Sequence, residues 1–139
     1  MILDANRCGD FISNNADMGP VRRWIDSGVH RLIYSNQEKI QDELYDNREM
    51  KKYLEDRFKF GRARRIEKEK VEQAIKDIET EYSLRSDDPH ILGLAIASGA
   101  KLLCTQDENL EKDFKKIVKG KIYKNKTHAH LLTDKICKP

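Results

Sequence analysis

The chain has 139 residues, 38% of them hydrophobic and 37% charged, and a formal net charge of +3. That length suits one domain over residues 1–139, burying roughly two-thirds of its extended-chain surface on folding. No apolar run approaches the ~20 residues of a membrane span, and Cys8, Cys104 and Cys137 are scattered with no C-x-x-C pair to suggest a zinc site, so a membrane protein and a disulfide scaffold are excluded. The opening Met1-Ile2-Leu3-Asp4 meets an acid at once, so no signal peptide is expected here, and the expectation is a soluble, cytoplasmic protein.

In chain order, residues 1–5 (MILDA) are a short apolar run that stops at acid, as a buried strand does. Pro20 followed by VRRWIDSG predicts a short helix packed by Trp24, with Pro in its first turn and Gly28 as its stop. Residues 30–35 (HRLIYS) are a second strand. Asn36 is then expected to cap a helix that carries Ile40 and Leu44 four residues apart. A long charged stretch follows from 47 to 82, broken into two helices at Gly61. Its second half sets Ile66, Val71, Ala74, Ile75, Ile78 and Tyr82 along one helical stripe.

From Asp88, the run DPHILGLAIASG reads as a largely buried helix with an Asp cap, Pro at N1 and Gly99 at its end. Residues 101–105 (KLLCT) predict a third strand. Leu110, Phe114 and Ile117 predict a last helix, and residues 120–123 (GKIY) a fourth strand. Strands alternating with helices define an α/β domain with a mainly parallel sheet.

The small net charge hides an uneven distribution. Residues 57–70 (RFKFGRARRIEKEK) carry +5 and residues 115–139 carry +7, which leaves −9 for the other 100 residues. Solvated helix faces account for many such runs, while basic segments suit a polyanion and gathered acids suit a metal.

Ligands of an open parallel sheet bind beyond the carboxyl ends of its strands. Asp4 ends the first strand, Asp107 follows the KLLCT strand by two residues, and Asp88 opens the helix before that strand. Glu43 lies beside Leu44, placed to face inward. Taken singly, each has a structural use: Asp88 or its neighbour Asp87 as a cap, Asp107 as the cap of ENLEKDF, and Glu43 as a solvated helix residue. Taken together they form a carboxylate cluster, which repels itself unless a cation joins it. Mg²⁺ or Mn²⁺ takes such oxygen ligands and can drive phosphodiester hydrolysis.

The segments ILDAN, Glu43-Leu44, DDPHILGLAIASGA and LLCTQDENLEKDF, in that order along nearly the whole chain, resemble the PIN domain family of metal-dependent nucleases. The resemblance is weak over residues 47–85. It implies a three-layer α/β/α fold with a central, mainly parallel sheet, and an acidic centre of Asp4, Glu43, Asp88 and Asp107. Of these, Asp4, Asp88 and Asp107 would hold Mg²⁺ or Mn²⁺, and Glu43 would bind the ion or orient the attacking water. Asn6 and Thr105 take supporting positions, and Asp88 is preferred to Asp87. The implied activity is that of an endoribonuclease, often the toxin of a toxin–antitoxin pair and often a homodimer. Asn109 departs from the pattern, since a second acid is common there, so one metal is the expectation.

Arg57, Lys59, Arg62, Arg64 and Arg65 interleave with Phe58 and Phe60, a combination that suits single-stranded RNA, although the rings can equally anchor a helix pair. The pair His128 and His130 matches no zinc pattern, and a place beside the substrate path is the alternative to metal ligation. Cys8 and Cys104 read as buried thiols. Against the nuclease stand two other classes: an RNA-binding module without turnover, and a protein-interaction module using the charged 47–82 helices.

Overall fold

Aliphatic runs too short to stand alone gain stability only by pairing, and helical returns between them favour parallel pairs. The computed structural model, which describes residues 1–28 and 30–132, contains five such strands. They are β1 (Ile2–Leu3), β2 (Leu32–Ser35), β3 (Ala63–Ile66), β4 (Leu102–Cys104) and β5 (Lys121–Tyr123). One sheet has the order β1-β4-β5 and a second pairs β2 with β3, all in parallel. Ile2 lies opposite Leu103, Leu103 opposite Ile122, and Leu32 opposite Ala63.

Residue 1 links the two sheets. Met1 N donates to Arg31 O at 3.2 Å and Ile33 N donates to Met1 O at 2.9 Å, the pattern of a parallel bridge to Leu32. All five strands therefore point the same way. Asp4, Ser35, Ile66, Thr105 and Lys124 fall at or just beyond their carboxyl ends, and Gly28, Arg62 and Lys101 precede their amino ends.

Among the described residues, seven α-helices connect the strands: α1 (Cys8–Ser13), α2 (Gly19–Asp26), α3 (Glu38–Tyr45), α4 (Arg48–Lys59), α5 (Lys68–Glu81), α6 (Pro89–Ser98) and α7 (Glu108–Asp113). A π-helical turn over Phe114–Val118 extends α7. Helix α6 is apolar on nearly every side, and Ile91, Leu92, Leu94 and Ala95 are buried in the core. Its closest approach to α5 is made at Gly93. A Cβ built there would lie 2.7 Å from Ile75 Cγ1 and 3.1 Å from Val71 O.

Several local expectations change. Ile66 does not share the α5 stripe, because it ends β3, where it pairs with Ser35. The 47–82 stretch is thus helix, strand, helix. Gly61, at φ +70°, makes the turn into the strand. The cap of α3 is Gln37, whose Oε1 accepts from Ile40 N at 3.0 Å, since Asn36 Oδ1 is engaged by Lys68 N. Phe60 is 75% exposed and Phe58 43%, so Phe60 anchors no core. Trp24 stacks on His30 with ring centroids 3.7 Å apart. Cys137 and the last seven residues of the basic 115–139 segment lie outside the described residues.

The tight α5–α6 contact yields a paired test. Gly93→Ala should cost about 1–3 kcal/mol, the usual penalty of overpacking. Gly9→Ala in α1, where nothing lies within 4 Å of the added Cβ, should stabilise by roughly 0.5–1 kcal/mol. Urea denaturation of both variants measures the difference.

Candidate metal centre

Parallel pairing sends the chain end of each strand to one edge, and there the acids meet. Asp4 leaves β1 buried, with 6% of its surface exposed. Its Oδ2 accepts the Thr105 hydroxyl at 2.7 Å, and it also accepts the Ala5 N–H. Thr105, fully buried after β4, in turn accepts Asp107 N at 3.0 Å on the same oxygen. One hydroxyl thereby ties the ends of β1 and β4 together. Asn6 adds a second tie, its Oδ1 accepting Gln106 N at 3.4 Å.

Glu43 stands on the inward edge of α3 between buried Ile40 and Leu44, with its side chain 32% exposed. Asp88 occupies the N-cap position of α6, yet its carboxylate makes no capping hydrogen bond. The capping explanation for this residue is therefore not realised. Asp107 differs: its Oδ1 accepts both Asn109 N and Leu110 N, at 2.9 and 3.1 Å, so it is a true helix cap. Asp87 is exposed, and its carbonyl accepts Lys39 Nζ at 3.3 Å. Asn109 is exposed as well.

Among the described residues, Glu43, Asp88 and His90 form a group in which one ligand atom of each lies within 4.8 Å of the others. Asp4 and Asp107 stand outside that group but within its electrostatic reach. Burial raises the Asp4 carboxyl above its ordinary value, the Thr105 hydrogen bond opposes this, and Asp88 and Glu43 raise it further. Burial likewise raises Asp88, against the pull of His90, and Glu43 and Asp107 add to the rise. Such a cluster of hard oxygen donors, costly to ionise alone, fits Mg²⁺ or Mn²⁺.

The local sequence does not reveal two supporting residues. His90, 1% exposed, places Nε2 3.0 Å from Glu43 Oε2 and 3.8 Å from Asp88 Oδ1. Asp113 is 3% exposed and gathers Arg85 N, Ser86 N and the Ser86 hydroxyl at 2.9–3.2 Å. It pins the loop that delivers Asp88 to α6. The signal for His90 is a polar residue inside an otherwise apolar helix; Asp113 has none beyond its charge.

The basic residues lie elsewhere. Arg57 is bound to Asp26, through Nε at 3.2 Å and a terminal nitrogen at 2.9 Å, and stacks over Tyr53, so its charge is already matched. Arg62 sits against Gly28, at the amino end of the strands and so on the edge opposite the acids. Lys59, Arg64 and Arg65 are exposed, with Arg65 over Phe58 at 4.8 Å. His128 accepts Lys124 N, and His130 pairs with Thr127 O; neither joins the acidic group. Cys8 is buried, and burial pushes its thiol up to about 12.

The raised carboxyls make a test with a definite sign. A native carboxyl above its unfolded value of 3.8 weakens the fold as pH climbs from that value through the native one. Asp4→Asn should therefore melt higher than wild type at pH 7 in EDTA, with the gap closing near about pH 3. Mn²⁺ at about 100 times its dissociation constant should stabilise wild type by about 2.7 kcal/mol. Scanning calorimetry reads both. No family model, curated protein or solved structure matches this chain.

Proposed function

We propose that the protein is a metal-dependent endoribonuclease built as a PIN-like three-layer α/β/α domain. Two structural features support the architecture. The Met1 bonds align the strands in the order β3-β2-β1-β4-β5. Consecutive residues of β2 face opposite ways: Ile33 lines a small cavity with Ile40 of α3 and Ile91 of α6, and Tyr34 meets Phe58 of α4.

The observation that carries the activity is the approach of Glu43 and Asp88 at the carboxyl edge, beside an Asp4 whose carboxyl both of them raise. A bound Mg²⁺ or Mn²⁺ would supply charge neutralisation and a water acidic enough to attack a phosphodiester. Asp4, Glu43 and Asp88 would hold it, and Asp107 would add negative charge nearby. Thr105 holds the Asp4 rotamer. Lys39, which lowers the Asp88 carboxyl, is an exposed cation suited to a flanking phosphate. Single-stranded RNA is the substrate class, and an antitoxin partner and a homodimer belong to the same reading.

Incubation of single-stranded RNA with Mn²⁺ should give fragments with wild type and none with EDTA or with Asp88→Asn. Equal cleavage by wild type and variant would assign the activity to a contaminant.

A second reading, RNA binding apart from cleavage, draws on Phe60, which stands 75% exposed in a stretch of sequence rich in Lys and Arg. Stacking of a base on such a ring is worth roughly 1–3 kcal/mol. Phe60→Ala should weaken binding of a catalytically silent Asp88→Asn protein to single-stranded RNA by about that amount, read by fluorescence anisotropy. Unchanged affinity would leave the ring without a role in RNA binding.

A further inference from the structure

We propose that His90 is a positioning residue for Glu43: it donates a hydrogen bond from Nε2 to Glu43 Oε2 and is not itself a metal ligand. The proposal rests on the metal-centre reading above and adds a residue to it. His90 opens α6 two residues after Asp88, and its ring is 1% exposed. Nε2 lies 3.0 Å from Glu43 Oε2, within hydrogen-bond reach, and 3.8 Å from Asp88 Oδ1, beyond it. On the far side of the ring, Nδ1 is buried and meets no hydrogen-bond partner among the described residues.

That orphaned nitrogen decides the tautomer. A buried N–H with no protein acceptor costs about 1–3 kcal/mol, so a proton is favoured on Nε2, which lies 3.0 Å from a carboxylate oxygen able to accept it. Ligation through Nε2 would require the proton to sit on Nδ1 instead. Histidine ligands normally donate that second N–H to a carboxylate, carbonyl or water, and here no protein group among the described residues accepts from the second nitrogen. Nε2 is consequently a donor. It fixes Oε2 of Glu43 and leaves Oε1 as the oxygen directed to the ion. Glu43 reaches the site from a helix, across 47 residues of sequence from His90, and no other hydrogen bond among the described residues holds its carboxylate. The imidazole also places a bond dipole between two carboxylates that would otherwise face one another alone.

The test uses the full chain and three measurements. Long-range ¹H–¹⁵N NMR of the metal-free protein should show His90 protonated at Nε2, and addition of Mg²⁺ should leave that proton in place. An Nδ1–H tautomer in either state overturns the proposal. Calorimetric titration with Mn²⁺ should show His90→Leu, which keeps the apolar volume, binding about 10–100-fold more weakly than wild type. His90→Gln, which can present an amide donor near the Nε2 position, should recover most of that loss. In a Glu43→Ala background, His90→Leu should add nothing further, as expected of a residue that acts through its neighbour.

Equal affinity of His90→Leu and wild type overturns the proposal and leaves the metal centre standing, as does an equal loss in the Leu and Gln variants. Absence of Mn²⁺ binding by wild type instead overturns the metal-centre reading, and this proposal with it. If either variant fails to fold, the tautomer of the wild-type ring still decides.

Discussion

Because the five strands among the described residues run in the same direction, each delivers its carboxyl end to one edge, and that geometry governs the rest of the described fold. Strands of only two to four residues cannot hold such a sheet by hydrogen bonding alone. The burial of Ile2, Leu102, Leu103 and Cys104 in the apolar core does so. Once parallel order is imposed, Asp4 and Thr105 become neighbours although about 100 residues separate them, and a 2.7 Å hydrogen bond joins them. The acidic edge follows from chain direction before any side-chain chemistry enters.

That edge works against stability. Carboxylates from β1, α3, α6 and the start of α7 approach one another where burial has already made ionisation costly, so their joint placement opposes folding at neutral pH. The structure answers with a few donors: the Thr105 hydroxyl on Asp4, the main-chain amides of Asn109 and Leu110 on Asp107, and the His90 ring on Glu43. Asp88 alone of the four has no such donor, and it stands at the mouth of α6 with its capping capacity unused. A cluster restrained at its margins and unsatisfied at its middle is the arrangement from which the nuclease proposal is drawn. Phe60 and Arg62 precede β3, toward the other end of the strands, while Lys39 and Lys124 stand on the side of the acids.

Much of this was legible because the signals are local. Pro89 and Gly99 bracket a largely apolar run, and α6 occupies it. Gly28 and Gly61 take positive φ where the chain turns. The four strands expected from apolar runs are all present. The fifth, β3, was missed because Ala-Arg-Arg-Ile keeps apolar residues at its ends and exposes both arginines, a pattern with spacing closer to a helix than to alternation. Its pairing with β2 is a contact across 31 residues, to which local spacing is blind. The α3 cap slipped from Asn36 to Gln37 for a similar reason, since a distant amide, that of Lys68, takes the Asn36 side chain.

The sequence by itself determined that the chain alternates strand and helix, which acids stand at strand and helix ends, and that charge is segregated along its length. Those properties depend on residues within a few positions of each other, where propensity and patterning act. Only the tertiary structure decided that Asp107 is a cap while Asp88 is not, that Arg57 is consumed by Asp26, and that His90 meets Glu43. Each of those outcomes turns on a partner brought from tens of residues away, or on a hydrogen bond that a neighbour makes or fails to make. Parallel strand order brings such partners together, and local spacing cannot name them.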